Sequence, residues 1–365
     1  MDKLRILFVT HNSDFVGGGE LSQLQLLQSL YTEGERVMLA VPDTGWCENE
    51  AKSHGVPVLH LPMPAIGVLT LFSTVRGWMK KISEIEKPDV IHANTPRSCF
   101  YAGVAGRLLG IPVVFHCRIA DSDPKLDWIL VRLANCVVAN SKTTAGRFRR
   151  WPKLDVRTVY NGVDADLLEA GGQDKQPFGA ELVLLCVARV SRWKRHDLVL
   201  DAFEQLAKEF DGLHLVCVGA IDPYETDWWD TLQVRSQQSD FSDRIHWVGM
   251  QKDMAQWYHG ADVLFLASER EPFGRVVIEA MAHGIPVVAF NAGGPAEIIT
   301  DGEQGVLVTE EDNVAEKMTP LFADRLLYEK MAAAGKKRAK EFSLTAHVSS
   351  MRGILSSLAG GNHGD

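Results

Sequence analysis

Residues 261–284 read Ala-Asp-Val-Leu-Phe-Leu-Ala-Ser-Glu-Arg-Glu-Pro-Phe-Gly-Arg-Val-Val-Ile-Glu-Ala-Met-Ala-His-Gly. An apolar β run gives way to a helical pattern, and two carboxylates, Glu271 and Glu279, fall eight positions apart. The opening run, 261–267, has the nearly continuous hydrophobicity of a strand covered on both faces. Pro272, just inside the periodic segment that follows, predicts a helix start there. Glu271 then stands at a strand-to-helix turn. The N–H groups of Phe273, Gly274, Arg275 and Val276 belong to an uncapped first turn, with the positive end of the helix dipole behind them. Such a turn suits hydroxyls and a phosphate. Eight helical residues rise about 12 Å, which puts Glu279 on roughly the same face as Glu271 but deeper along the helix. Two carboxylates and a bare helix start can together hold one long, polyhydroxylated, phosphorylated ligand.

Working outward, apolar β runs alternate with helical periodicity along the whole chain, the pattern of parallel α/β domains. The first half predicts strands near 4–10, 36–41, 56–61, 89–93, 112–117, 135–140 and 156–160. Helical segments lie between them, notably 20–33, 70–87, 98–109 and 142–150. A stretch rich in Gly, Gln, Asp, Lys and Pro follows, and 171–179 is read as a linker. The second half restarts near 181–187 and continues through 213–218, 244–248, 262–266, 286–290 and 305–308. The expected architecture is an α/β chain of two doubly wound domains, 1–170 and 180–344, with a final helical segment in 345–365. Ligands of such sheets bind at the carboxyl ends of the strands, where the motifs fall, facing what would be a cleft between the domains.

The 365 residues exceed the usual size of one core, which agrees with two domains. With 46% hydrophobic and 23% charged residues, disordered and fibrous classes are excluded. The net charge of −9, with the acidic excess after residue 170, disfavours nucleic acid as the main partner. Six cysteines occur without a Cys-x-x-Cys pair, and Cys117, Cys136, Cys186 and Cys217 sit in or beside β runs. They read as reduced core residues of a cytoplasmic protein. The chain enters a strand at once, with no signal peptide expected ahead of it, and no long uncharged apolar run suggests a membrane span.

Further motifs lie at predicted strand ends. Gly17-Gly18-Gly19-Glu20 follows the first strand and can bring backbone close to a diphosphate, though it is not the dinucleotide Gly-x-Gly-x-x-Gly pattern. His116 ends a strand, and His11, His92 and Asn94 end others. Asn161-Gly162-Val163-Asp164 is foremost a turn signal. Ala188-Arg189-Val190, followed by Lys194, sets two cations where they can neutralise charge growing on a departing diphosphate; Arg192 and Arg195 beside them read as solvated. Gly293-Gly294-Pro295-Ala296-Glu297 completes the series.

In this order and spacing the set resembles the retaining family 4 glycosyltransferases, whose Glu-x7-Glu motif corresponds to Glu271 and Glu279 and whose two Rossmann-like domains form the fold called GT-B. The resemblance covers nearly the whole chain. It implies transfer of a hexosyl unit from a nucleotide sugar, UDP-linked by expectation, to a carbohydrate, lipid-linked or small-molecule acceptor held by the first domain. It implies that Gly18 and Gly19 lie beside the donor phosphates, that Arg189 and Lys194 stabilise the leaving diphosphate, and that Glu279 accepts hydrogen bonds from the ribose. Glu271 would hold the sugar with the Phe273 and Gly274 N–H groups, and His116 would contact it from the first domain. The base would be read near 248–251, and the last helix would cross back to the first domain. The family's usual Gly-Arg and Lys-Gly pairs read here Ala188-Arg189 and Lys194-Arg195, which suggests a bulkier loop.

No cofactor or metal is expected. Asp121-Ser122-Asp123 has metal-binding spacing but lies in the acceptor half, where solvated loop acids are the better reading, and no His/Cys cluster suggests zinc. Two basic-aromatic stretches, 76–81 and 147–153, are candidate peripheral contacts with an anionic membrane at its inner face. Two other readings stay open: an epimerase or phosphorylase on the same fold, and a nucleotide-sugar-binding protein without turnover. Front-face and double-displacement mechanisms are both compatible with the residues.

Overall fold

In the computed structural model, which describes residues 3–15, 17–164 and 177–360, the apolar runs become two wholly parallel sheets. The first contains β1 (Arg5–Val9), β2 (Arg36–Val41), β3 (Val58–His60), β4 (Val90–Ala93), β5 (Val113–Cys117), β6 (Cys136–Ala139) and β7 (Val156–Thr158), in the order β3-β2-β1-β4-β5-β6-β7. The second contains β8 (Leu182–Val187), β9 (Leu213–Val218), β10 (Ile245–Gly249), β11 (Val263–Leu266), β12 (Val287–Phe290) and β13 (Gly305–Val308), ordered β10-β9-β8-β11-β12-β13. Strand order therefore reverses between β1 and β4, and again between β8 and β11. At such switch points the connections leave in opposite directions and open a crevice at the carboxyl ends.

The sheets are covered on both faces. Alternate residues of β1 enter different cores: Leu7 and Val9 pack with Trp78, Phe100 and Tyr101, whereas Ile6 and Phe8 pack with Leu27 and Leu30. This is the period-two alternation of a strand between two helical layers. The second sheet is built likewise, with Leu184, Phe203, Phe265 and Met318 in its core.

The chain divides into two compact units, Met1–Gly162 with Leu344–Asp365, and Val163–Ser343. The helix Leu344–Gly360 belongs to the first unit, where Val348, Met351 and Leu355 join the core that holds Ile6 and Phe8. His347 Nδ1 donates to the Tyr160 carbonyl there at 2.7 Å. Of the linker 171–179, residues 171–176 lie outside the described residues; Pro177–Gly179 form a short 3₁₀ turn.

The helix expected over 142–150 stops as an α-helix at Gly146 and continues in tighter i→i−3 turns through Arg149, with the Arg147 side chain turned inward. Arg147 forms a bidentate pair with Asp127 of the helix Pro124–Leu133, and the two side chains are 2% and 1% exposed. Breaking such a pair strands a buried charge. Arg147→Met is expected to destabilise the first unit by about 3–5 kcal/mol, read as a lowered urea midpoint, and an unchanged midpoint would contradict it.

Candidate active site

In the second unit the predicted residues gather on the two strands at the switch point. Arg189 and Lys194 follow β8, and Glu271 follows β11, its direct neighbour through Val263↔Leu184 and Leu264↔Leu185. The loop after β8 tightens into a 3₁₀ turn, Arg192–Lys194, and Arg195 takes a left-handed φ of 52° before the helix His196–Leu206. A non-glycine residue holds that conformation only when its surroundings impose it. Here the Arg195 guanidinium binds Asp197 and, at 2.9 Å, Glu269, and the Glu269 N–H donates to the Trp193 carbonyl at 3.3 Å. The β8 and β11 loops are thus tied together. Arg192 is solvated, as the sequence suggests, in an exposed pair with Asp227 and 5.0 Å over the Trp228 ring, whereas Arg195 is largely buried by its pairing.

The result is a direct contact between two predicted site residues. Lys194 Nζ donates to Glu271 Oε2 at 2.5 Å, and the two side chains are only 13% and 14% exposed. Lys194 also lies 3.9 Å over the Trp193 ring. Arg189 sits nearby in sequence, its Nε 3.4 Å from Asp222 Oδ2. Gly219 permits this arrangement, since a Cβ there would fall 1.9 Å from the Ala188 carbonyl oxygen.

The helix after β11 begins later than Pro272 suggests. It runs Arg275–His283, with Gly274 as its left-handed N-cap (φ 91°) and no side-chain cap. Glu271, Pro272 and Phe273 form a loop ahead of it, so a continuous helical rise from Glu271 to Glu279 does not apply. What shapes the loop comes from a distant turn: the Gly294 N–H donates to the Glu271 carbonyl at 2.8 Å. A Cβ on Gly293 or Gly294 would lie 2.2 Å from Glu271 O or Phe273 Cα, respectively. Phe273 is buried against Phe342. Gly274, Arg275 and Val276 stand at the uncapped helix start, as the sequence suggests.

Arg275 has a second role that its position alone did not disclose. Its buried guanidinium donates to Glu279 Oε1 at 3.1 Å, one helical turn on. Tyr258, overlooked in the sequence, donates its hydroxyl to Glu279 Oε2 at 2.8 Å. The only local signal was an aromatic residue in the short helix Ala255–His259, just ahead of β11.

In the first unit, Gly18 and Gly19 are not a loop before a helix near Glu20 but the first two residues of the helix Gly18–Thr32, which also lacks a side-chain cap. Asn94 Nδ2 donates to the Gly19 carbonyl at 3.3 Å. His116 does not end its strand; it is the fourth residue of β5 and wholly buried. Its Nδ1 lies 3.0 Å from His92 Nε2 and accepts from Arg118 Nη2 at 3.3 Å, so the ring proton resides on Nε2. Burial first, then the Arg118 charge, holds its pKa well below the usual histidine range, and the ring is neutral at neutral pH.

Arg118 is the hub that sequence reading missed: it also donates to Asn94 Oδ1 at 2.8 Å and Ser22 Oγ at 3.0 Å, and it binds Asn161. His11 contacts Thr95 Oγ1 at 2.8 Å, and its pKa falls to about 4 through burial and Arg97. Asn161 is thus a buried hydrogen-bond partner as well as part of a turn.

Asp123 is an exposed loop acid, as the sequence suggests, and it also caps the helix Pro124–Leu133 by accepting from the Lys125 and Leu126 N–H groups. Among the described residues no group of three or more His, Cys, Asp or Glu is arranged to hold a metal. All six cysteines are free and buried. Of the basic-aromatic stretches, Trp78 and Phe148 belong to the core, so the aromatic side chains that would enter a bilayer surface are committed inside. No helix among the described residues is long and apolar enough to cross a membrane.

Two doubly wound sheets, with cations and carboxylates assembled at a switch point, define a sugar-nucleotide transferase of the GT-B kind. Residues 16–167 match the family described as Glycosyltransferase Family 4, and residues 173–338 match Glycosyl transferases group 1. The chain belongs to the family 4 glycosyltransferases and is a nucleotide-sugar-dependent hexosyltransferase. It is 27% identical to N-acetyl-alpha-D-glucosaminyl L-malate synthase of Bacillus anthracis, over 72% of each chain. It is 26% identical to phosphatidyl-myo-inositol mannosyltransferase of Mycobacterium leprae, over 96% of this chain and 95% of that one. The crystal structure of Anabaena HepE in complex with UDP and glucose superposes with a TM-score of 0.86 at 25% identity, covering 97% of this chain and all of the other.

Proposed function

We propose that this enzyme is a metal-independent, retaining hexosyltransferase that uses a UDP-linked sugar. The observation that carries the reading is the Lys194–Glu271 pair at the β8/β11 switch point. The ammonium has three N–H donors, so it can keep Glu271 while turning a second N–H to a phosphate oxygen. Charge that grows on the leaving diphosphate then meets a donor already oriented and largely shielded from water, with Arg189 beside it in the same loop. Glu271, held by Lys194, faces the hydroxyls of the transferred sugar, and Glu279 faces those of the nucleoside. Two cations and the uncapped helix start at Gly274 supply the charge stabilisation that a metal would otherwise give.

In this reading the acceptor hydroxyl attacks the anomeric carbon from the face the diphosphate leaves, and its proton passes to the departing phosphate oxygen. His116, buried and neutral, takes no part in that transfer; its role is to seat Arg118 under the glycine-started helix. The UDP assignment is supported by the complex of HepE with UDP and glucose at 25% identity. The relatives' acceptors differ, and the acceptor class stays carbohydrate, lipid-linked or small-molecule. The exposed cations of 76–81 and 149–153 keep peripheral contact with an anionic membrane as a second proposal.

The testing experiment is a thermal-shift panel with UDP, GDP and ADP in the presence of EDTA. A ligand at 100 times its Kd stabilises the folded state by about 2.7 kcal/mol, and UDP is expected to raise Tm by several degrees without metal. A shift only with GDP or ADP would overturn the donor assignment, and a shift that requires added metal would overturn metal independence.

A further inference from the structure

We propose that Tyr258 is the positioning residue of the Glu279 carboxylate, and that it thereby confers selectivity for a nucleoside with an intact vicinal diol. This rests on the assignment of Glu279 to the nucleoside end of the donor. An ionised carboxylate offers about four acceptor directions, two on each oxygen. The protein uses one on each: Arg275 Nη2 takes Oε1 at 3.1 Å and the Tyr258 hydroxyl takes Oε2 at 2.8 Å. One acceptor direction therefore remains per oxygen, which matches two adjacent hydroxyls on one sugar edge. The Glu279 side chain is 12% exposed and Arg275 8%, so the carboxylate sits in a narrow opening rather than in free water.

The hydroxyl can do this because it is itself held. Tyr258 is 1% exposed, and its ring stacks on His283 at 5.0 Å with an interplanar angle of 25°. His283 Nδ1 lies 2.8 Å from the Glu279 carbonyl oxygen; a carbonyl only accepts, so Nδ1 carries the hydrogen. The helix Arg275–His283 and the short helix before β11 are thus joined around one residue, at its backbone through His283 and at its carboxylate through Tyr258. Burial, reinforced by the Glu279 charge, pushes the phenol well above its usual range, so it remains a donor throughout the working pH. Without the hydroxyl, Oε2 loses its protein partner, and only the Arg275 contact at Oε1 restrains the carboxylate about its last torsion, which is broad and roughly two-fold for glutamate.

The test is isothermal titration of UDP, GDP and ADP, each against its 2′-deoxy counterpart, on wild type, Tyr258→Phe, Glu279→Ala and the double variant. Phenylalanine fills the same volume against His283, and far-UV melting checks the fold. For the nucleotide that binds, wild type is expected to prefer the ribo form about tenfold or more, the range for hydrogen bonds to a charged group. Tyr258→Phe is expected to weaken the ribo form about five- to tenfold and leave the deoxy form unchanged, and to add nothing once Glu279 is alanine. A lesion that merely loosens the fold would weaken both forms alike. If Tyr258→Phe keeps the full ribo preference while Glu279→Ala abolishes it, the role of Tyr258 is overturned and that of Glu279 stands. If wild type shows no ribo preference, both fall.

Discussion

Lys194→Ala is expected to lower kcat/KM for glycosyl transfer by about 10²–10³-fold, the effect of removing one preorganised donor from a developing oxyanion. The loss should fall mainly on kcat, because the charge that Lys194 meets grows as the diphosphate departs. The substitution also leaves the Glu271 carboxylate, 14% exposed, without the cation 2.5 Å from Oε2. Stranding a partly buried acceptor of this kind costs about 1–3 kcal/mol, so Tm should fall as well. The two effects separate in Lys194→Ala/Glu271→Gln, where no charge is left unpaired: most of the lost stability returns, and the rate does not. A Lys194→Ala enzyme with unchanged kcat/KM would remove Lys194 from the transition state and leave the pair a structural tie between the β8 and β11 loops.

The second large effect is expected at a residue without a side chain. Gly293 has φ 65°, and its Cβ would fall 2.2 Å from the Glu271 carbonyl oxygen and 3.1 Å from its carbonyl carbon. Both atoms are backbone, so no side-chain rotation relieves the collision and the Glu271 loop must move. Displacement of a binding group by about 1 Å can cost on the order of 10² in rate, and Gly293→Ala is expected to lose at least that in kcat/KM. Two controls divide the cause. Gly294→Ala has no left-handed φ but meets Phe273 Cα at 2.2 Å, and it should also inactivate. Gly302→Ala has φ 74° with nothing within 4 Å, and it should cost about 1 kcal/mol of stability with normal activity. Full activity in Gly293→Ala would show that the loop tolerates displacement and that Glu271 is not a precise contact.

These two positions differ in how far sequence alone foretells them. Lys194 and Glu271 were each legible as site residues because each stands in the loop that follows an apolar run, Lys194 five residues after Arg189, and the end of a strand is a local property of the chain. That they pair was not legible, since 77 positions separate them and the contact exists only because β8 and β11 are neighbours in the sheet. Gly293 carried a resemblance but no physical role until the 291–294 turn was seen against the backbone of residues 271–273. Tyr258 gave no decisive signal, because an aromatic residue beside a strand reads the same whether it fills a core or orients a carboxylate.

The corrections have related causes. Pro272 marks a helix start in general, yet Gly274 adopts the left-handed conformation and delays the helix to Arg275. Gly18 and Gly19 have poor helix propensity, but packing draws them into the first turn, where Asn94 holds the Gly19 carbonyl. His116 looked like a strand end because the apolar letters stop before it; the strand continues through it to Cys117, and its Nδ1 meets a buried partner, His92. In each case a tertiary contact overrode a local preference worth about 1 kcal/mol or less per residue.

The sequence by itself determined the strands, the doubly wound class and the strand-end identities of the reactive side chains. Strands covered on both faces must be apolar nearly throughout, and that requirement is written residue by residue. Only the tertiary structure decided which of those ends meet, which carboxylate is held by which cation, and which histidine is sealed in the core. Those facts depend on strand order and on close backbone approach between segments remote in the chain, and no local pattern of residues encodes either.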